Sequence, residues 1–84
     1  GEIFDGVISG VTGFGIYVQL ENTVEGLVRI DELRDDYYDY HKEKYALEGR
    51  RTGNVYRLGD EVRVIVDHVD LEKHEIDFLI AGHL

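Results

Sequence analysis

Apolar and polar positions alternate with period two over five short stretches, and each stretch predicts a strand with one buried face. Ile3 to Val11 is the first, with Val7 and Val11 expected inward and Gly6 and Gly10 leaving room to bend. Gly15–Leu20 is the second, placing Ile16, Val18 and Leu20 on one face and Tyr17 and Gln19 on the other. A polar turn, Glu21-Asn22-Thr23, leads to a third strand over Glu25–Ile30. Asp31 is then placed to cap a single helical turn running to Leu33. Val62, Val64 and Val66 alternate with Arg63, Ile65 and Asp67 in a fourth strand from Glu61 to about Val69. After a turn at Leu71–His74, Glu75–Ile80 is the fifth, with Ile76, Phe78 and Ile80 inward and Asp77 and Leu79 outward.

From Arg34 to Gly59 the alternation dissolves. Five of the six tyrosines lie there: Tyr37, Tyr38, Tyr40, Tyr45 and Tyr56. A stretch of about 25 residues without structure is unusual in a small domain, so local structure is expected. The sequence predicts a hairpin with arms near Tyr37–Tyr40 and Lys44–Leu47, turning at His41-Lys42-Glu43, with its tyrosines packed on its own surface. Five strands, one helical turn and no proline point to an all-β class, a small closed or nearly closed barrel with this tyrosine-rich insertion between strands three and four.

The stretch Gly10-Val11-Thr12-Gly13-Phe14-Gly15-Ile16-Tyr17-Val18 organises the rest. Alternation aims Tyr17 outward, where its phenol ring offers a bed for an unpaired base. Phe14 reads two ways. Period two puts it on the core face with Ile16, whereas the flanking Gly13 and Gly15 permit a bend that turns it outward beside Tyr17.

The 84 residues suffice for one domain, taken as 1–84, with a single small core. The chain has no cysteine, which excludes disulfides and thiolate chemistry. It has no methionine and opens directly on strand-like residues, which leads to the expectation of a piece of a longer protein. No apolar run reaches the ~18–20 residues of a membrane span, so no membrane partner and a cytoplasmic location are expected. The net charge of −9 opposes binding to a polyanion. Its distribution is uneven: Arg50, Arg51, Arg57 and Arg63 crowd one segment, whereas residues 31–48 are strongly acidic.

No catalytic constellation is present. Ser9 is the sole serine, and His41, His68, His74 and His83 are scattered. Asp36, Asp39 and His41 are acceptable metal ligands by type, but on a polar loop they read as solvated side chains, and no metal or cofactor is expected. Gly13-x-Gly15 lacks the lysine and helix of a phosphate loop. His68 reads as a partly buried strand residue, and His74 as an exposed turn residue that reads first as idle and second as a phosphate contact.

Gly13-Phe14-Gly15-Ile16-Tyr17-Val18, Glu25-Gly26-Leu27-Val28-x-Ile30, Gly59-Asp60-x-Val62-x-Val64-x-Val66 and Val69-Asp70 together resemble the S1 RNA-binding domain, in order along the whole chain. The resemblance implies a five-stranded OB-fold barrel that binds single-stranded RNA with little sequence preference. The insertion, from Asp35-Asp36-Tyr37-Tyr38 to Val55-Tyr56-Arg57-Leu58-Gly59-Asp60, resembles that of the C-terminal domain of bacterial ribonuclease R, with ribonuclease II the next-best parent. Such a parent is a magnesium-dependent 3′-to-5′ exoribonuclease whose chemistry lies in another domain, and its remainder would be this chain's partner. The resemblance places RNA-contacting roles on Phe14, Tyr17, Arg29, Asp70 and, in the last turn, Lys73 or His74. Arg29 stands where the family commonly has histidine. The isolated domain is expected to be a monomer. The acidic charge and the tyrosines leave a second reading, a protein-docking or structural module that binds no RNA.

Overall fold

A computed structural model describes residues 2–83. Eight strands follow one another: β1 (Ile3–Thr12), β2 (Gly15–Leu20), β3 (Glu25–Arg29), β4 (Tyr38–His41), β5 (Ala46–Gly49), β6 (Val55–Arg57), β7 (Glu61–Asp70) and β8 (Glu75–His83). Five of them form a barrel in the order β1-β2-β3-β8-β7, closed by antiparallel pairing of β7 with β1. All neighbours are antiparallel except β3 and β8, which run parallel through Leu27 and Asp77. These are the five strands that the alternation predicts.

Ile8, Ile16, Val18, Val28, Val62, Val64 and Phe78 fill the barrel and are essentially sealed from solvent. Gly26 makes this core possible, since a Cβ there would stand 2.6 Å from Phe78 Cε2. The first strand corrects one expectation: Val7 is exposed, while Val11 packs partly against the core. Pairing of β1 with β2 slips between Ile8 and Gly10, and this bulge inverts the alternation. Ile8 faces inward before it and Val11 after it, so Val7 cannot share Val11's face.

The far end of β7 departs similarly. Pairing with β1 ends at Ile65, so beyond it β7 has only β8 as a neighbour. Val66 and Val69 are therefore exposed, and so is His68, which was expected to be partly buried. The helical turn after β3 is a 3₁₀ turn over Ile30–Glu32. Asp31 lies inside it, and no side chain caps it.

The insertion is a three-stranded antiparallel sheet, β4-β5-β6, with a second 3₁₀ turn at Lys42–Lys44 joining the first two strands. The predicted hairpin thus sits one or two residues later than expected and gains a third strand. Tyr38, Leu47 and Tyr56 are buried within it. The Tyr38 and Tyr56 rings lie 5.6 Å apart, and Tyr56 stacks on His83 of the barrel at 4.8 Å. Two backbone bonds, Ile8 N–H to Asp60 O and Gly59 N–H to Ile8 O, fasten the insertion's exit to the β1 bulge.

Candidate nucleic-acid interface

The turn between β1 and β2 is organised by one hydroxyl. Thr12 Oγ1 accepts from the amides of Phe14 (3.2 Å) and Gly15 (3.1 Å) and donates to the Gly15 carbonyl (2.9 Å). All three of its bonding positions are thereby used. Gly15 brings the backbone so near β3 that a Cβ would collide with the Val28 carbonyl. Gly13 and Phe14 are pushed out of the alternation as the turn's tip, and the Phe14 ring is 55% exposed. The outward alternative for Phe14 is the one realised.

Tyr17 lies on the same outer surface. Its partner across β1 is Gly10, and the ring rests over that glycine, 3.4 Å from where a Cβ would be. Phe14 and Tyr17 meet edge to face, with centroids 6.3 Å apart and planes at 88°. This is a favoured geometry for two aromatic quadrupoles. The edge of one ring meets the face of the other, and the Phe14 side remains exposed to solvent.

The pair stands beside a groove of about 390 Å³ running over β2, β3 and the start of β8. Tyr17, Leu27 and Asp77 form its middle row, each opposite the next in register. Arg29, paired with Gly15 at the end of β3, forms an ion pair with Asp77 at 3.6 Å while remaining half exposed. His74, in a left-handed conformation (φ 56°), closes the far side.

Four of the six residues singled out from the sequence therefore converge: Phe14, Tyr17, Arg29 and His74. Asp70 and Lys73 do not line the groove. The Asp70 carboxylate accepts from the Lys73 amide at 3.1 Å and so shapes the turn that carries His74. Of the two basic candidates in that turn, His74 is the one on the groove. Glu25, Leu27, Glu75 and Asp77 line it without having been singled out. Period two already aims Asp77 outward, but only the parallel β3–β8 pairing brings it to Arg29.

Elsewhere the acids of the insertion are engaged separately. Asp36 accepts from the amides of Tyr37, Arg51 and Thr52 and from the Thr52 hydroxyl. These donors, the Thr52 amide foremost, hold its carboxyl well below the usual range despite the opposing cost of burial. Asp39 bonds Arg50, which lowers the acid and raises the base. His41 Nε2 lies 3.0 Å from Glu48. Burial, reinforced by the bond to Asp35, pushes the Tyr38 hydroxyl above its ordinary range. Among the described residues no three His, Cys, Asp or Glu side chains converge as a metal site.

A family model described as the S1 RNA binding domain matches residues 1–81. The chain is 49% identical over 85 residues to ribonuclease R of Aquifex aeolicus, covering 100% of this chain and 12% of that protein. It is 44% identical over 83 residues to ribonuclease R of Escherichia coli (strain K12), covering 98% and 10%. Among solved structures, Mycoplasma genitalium RNase R in complex with ribose methylated single-stranded RNA superposes with a TM-score of 0.88 at 33% identity, covering 95% of this chain and 13% of that one. The chain thus spans about a tenth of the length of these curated relatives. With the barrel order, the outward aromatic pair and a family match over residues 1–81, the chain belongs to the S1 RNA binding domain family.

Proposed function

We propose that this chain is a single-stranded RNA-binding module, one domain of a longer 3′-to-5′ exoribonuclease of the ribonuclease R type. The observation that carries the reading is the solvent-facing, edge-to-face pair of Phe14 and Tyr17 at a groove. Each ring takes the face of one unpaired base, a contact worth ~1–3 kcal/mol that tolerates any sequence. Arg29, oriented by Asp77, offers its guanidinium plane to a base or its edge to a phosphate. Glu25, Glu75 and Asp77 line the groove, so bases lie inward and phosphates stay on the solvent side. Asp70 acts by shaping the last turn, and His74 and Lys73 meet the backbone from its rim. Hydrolysis and the magnesium it uses belong to a part of the parent outside this chain. The domain itself works as a monomer, in the cytoplasm, holding substrate.

Titration with oligoadenylate tests this. Phe14→Ala combined with Tyr17→Ala should weaken binding at least ~20-fold if each ring stacks one base. Unchanged affinity with an intact fold refutes the stacking face. No RNA binding even at low salt, beside retention of a protein partner, would instead favour the docking role.

A further inference from the structure

A second cleft lies next to the groove. About 520 Å³ in volume, it separates the 3₁₀ turn after β3 from the insertion sheet and carries Arg34, Arg50 and Arg51 on its walls with Tyr37. That gathers three of the six arginines of a chain with net charge −9 around one cavity. The volume is in the range that holds a small organic ligand.

The side chains there differ in how committed they are. Arg50 is tied to Asp39 by bonds of 2.9–3.1 Å and serves as a wall. Arg51 is 77% exposed, and its nearest acid is Asp36 at 3.8 Å. Three of that carboxylate's four hydrogen bonds fall on Oδ2, and Oδ1, which Arg51 faces at a distance too long for a hydrogen bond, accepts from the Tyr37 amide. Arg34 is 79% exposed and forms an ion pair with Glu32 at 3.5 Å, a surface pair of little strength. Tyr37 is 73% exposed, unlike its neighbour Tyr38, which is buried in the sheet. Asp31 and Asp36 are the carboxylates on the lining, against the three guanidiniums.

The two cavities adjoin. Arg29 lines the groove and Ile30, the next residue, lines the cleft. The Ile30 amide donates to the Phe14 carbonyl at 2.9 Å, so the tip of the aromatic turn and the cleft share a wall.

We infer that this cleft is a second single-stranded RNA subsite, in which Arg34 and Arg51 hold a phosphodiester and Tyr37 stacks the adjoining base. The inference rests on the RNA-binding reading above and extends it to the insertion. Fluorescence anisotropy with labelled tetra-adenylate and dodeca-adenylate tests it on the chain as it stands. Tyr37→Ala should cost about 5- to 160-fold on the long oligonucleotide, the equivalent of one stacked base, and nothing on the short one. Arg34→Gln with Arg51→Gln should flatten the salt slope on the long oligonucleotide by about 0.7, the share of the one phosphodiester the two hold. Tyr37→Phe should restore affinity. Unchanged long-oligonucleotide binding in these variants overturns the subsite, and so does an equal loss on both lengths. In either case tetra-adenylate binding that depends on Phe14 and Tyr17 leaves the RNA-binding reading standing. If the unmodified chain binds neither oligonucleotide, both readings fall.

Discussion

Thr12→Val is the sharpest test of how the aromatic pair is held. The substitution keeps the branched shape and removes only a hydroxyl that makes three hydrogen bonds, of 2.9, 3.1 and 3.2 Å, within one turn. The turn is solvent-exposed, so water takes over part of this bonding. At roughly 0.5 kcal/mol each, rising to about 1 for the part-buried pair, the loss is ~1.5–2.5 kcal/mol. For a domain of this size that lowers Tm by roughly 6–20 °C. The effect on RNA is separate and follows from geometry. Phe14 sits at the tip, so its ring loses its fixed approach to Tyr17 and must be re-ordered on binding. Re-ordering one side chain costs ~0.5–1.5 kcal/mol, or about 2- to 12-fold in Kd.

The assay pairs a thermal melt with an oligoadenylate titration and a cross-peak between the Phe14 and Tyr17 rings. Thr12→Ser, which retains the hydroxyl, should stay near the parent in ring contact and affinity. If Thr12→Val keeps the parent's Tm, the ring cross-peak and the affinity, the hydroxyl does not hold the turn. The position of Phe14 would then have to be explained by Gly15 alone.

Two further perturbations separate barrel from insertion. Phe78 is 1% exposed and occupies the space left by Gly26, so Phe78→Ala should cost ~3–5 kcal/mol. Against a total stability of about 5–10 kcal/mol, that removes roughly a third or more of it, to be read from a urea melt whose midpoint should fall sharply. Asp36 gives the insertion a pH dependence of known sign. Its folded pKa is depressed, chiefly by the Thr52 amide, below an unfolded value of ~3.9. The ionised carboxylate therefore favours the folded insertion above that pH, and its contribution is lost as pH falls from ~4 toward the lower folded value. Amide exchange at Thr52, corrected for intrinsic rate, should lose protection over that window while Val62 and Val64 stay protected. Asp36→Asn should loosen the segment already at neutral pH and remove the Asp36 share of the acid response; flat protection in the parent would refute it.

The barrel was legible because each of its strands buries one face, and burial writes period two into the sequence. Ile16–Val18–Leu20 and Val62–Val64 show this directly. The departures occur where that rule is locally suspended. The bulge between Ile8 and Gly10 inserts a residue that no alternation can register, and Val7 was misplaced by it. Past Ile65 a missing third strand leaves Val66 and His68 in solvent, a property of pairing rather than of the residues. The insertion lacked a period because its sheet strands are only three or four residues long and its small core is built from Tyr38, Leu47 and Tyr56. In the candidate site, Tyr17 followed from parity. Phe14 needed the turn, and the nearness of His74, Arg29 and Asp77 needed the parallel β3–β8 closure.

Net charge bears on this arrangement through distance. At physiological salt a charge acts over about 8 Å, so a bound strand feels the groove and its rim rather than the sum over the chain. The groove presents Glu25, Glu75 and Asp77 against Arg29 and His74, which makes it a poor cradle for phosphates and an acceptable one for neutral bases. Stacking on Phe14 and Tyr17 carries no such penalty, because a base face has no net charge to repel. The insertion meanwhile spends several acids on its own architecture: Asp35 on the Tyr38 hydroxyl and Asn54, Asp36 on the Thr52 loop, Asp39 on Arg50. The exposed guanidiniums of Arg34 and Arg51 remain beside them. The exposed aromatic pair and the exposed guanidiniums thus lie on different cavities of the chain. On the proposed reading, an acidic domain would hold RNA by stacking its bases on the first and neutralising its phosphates on the second.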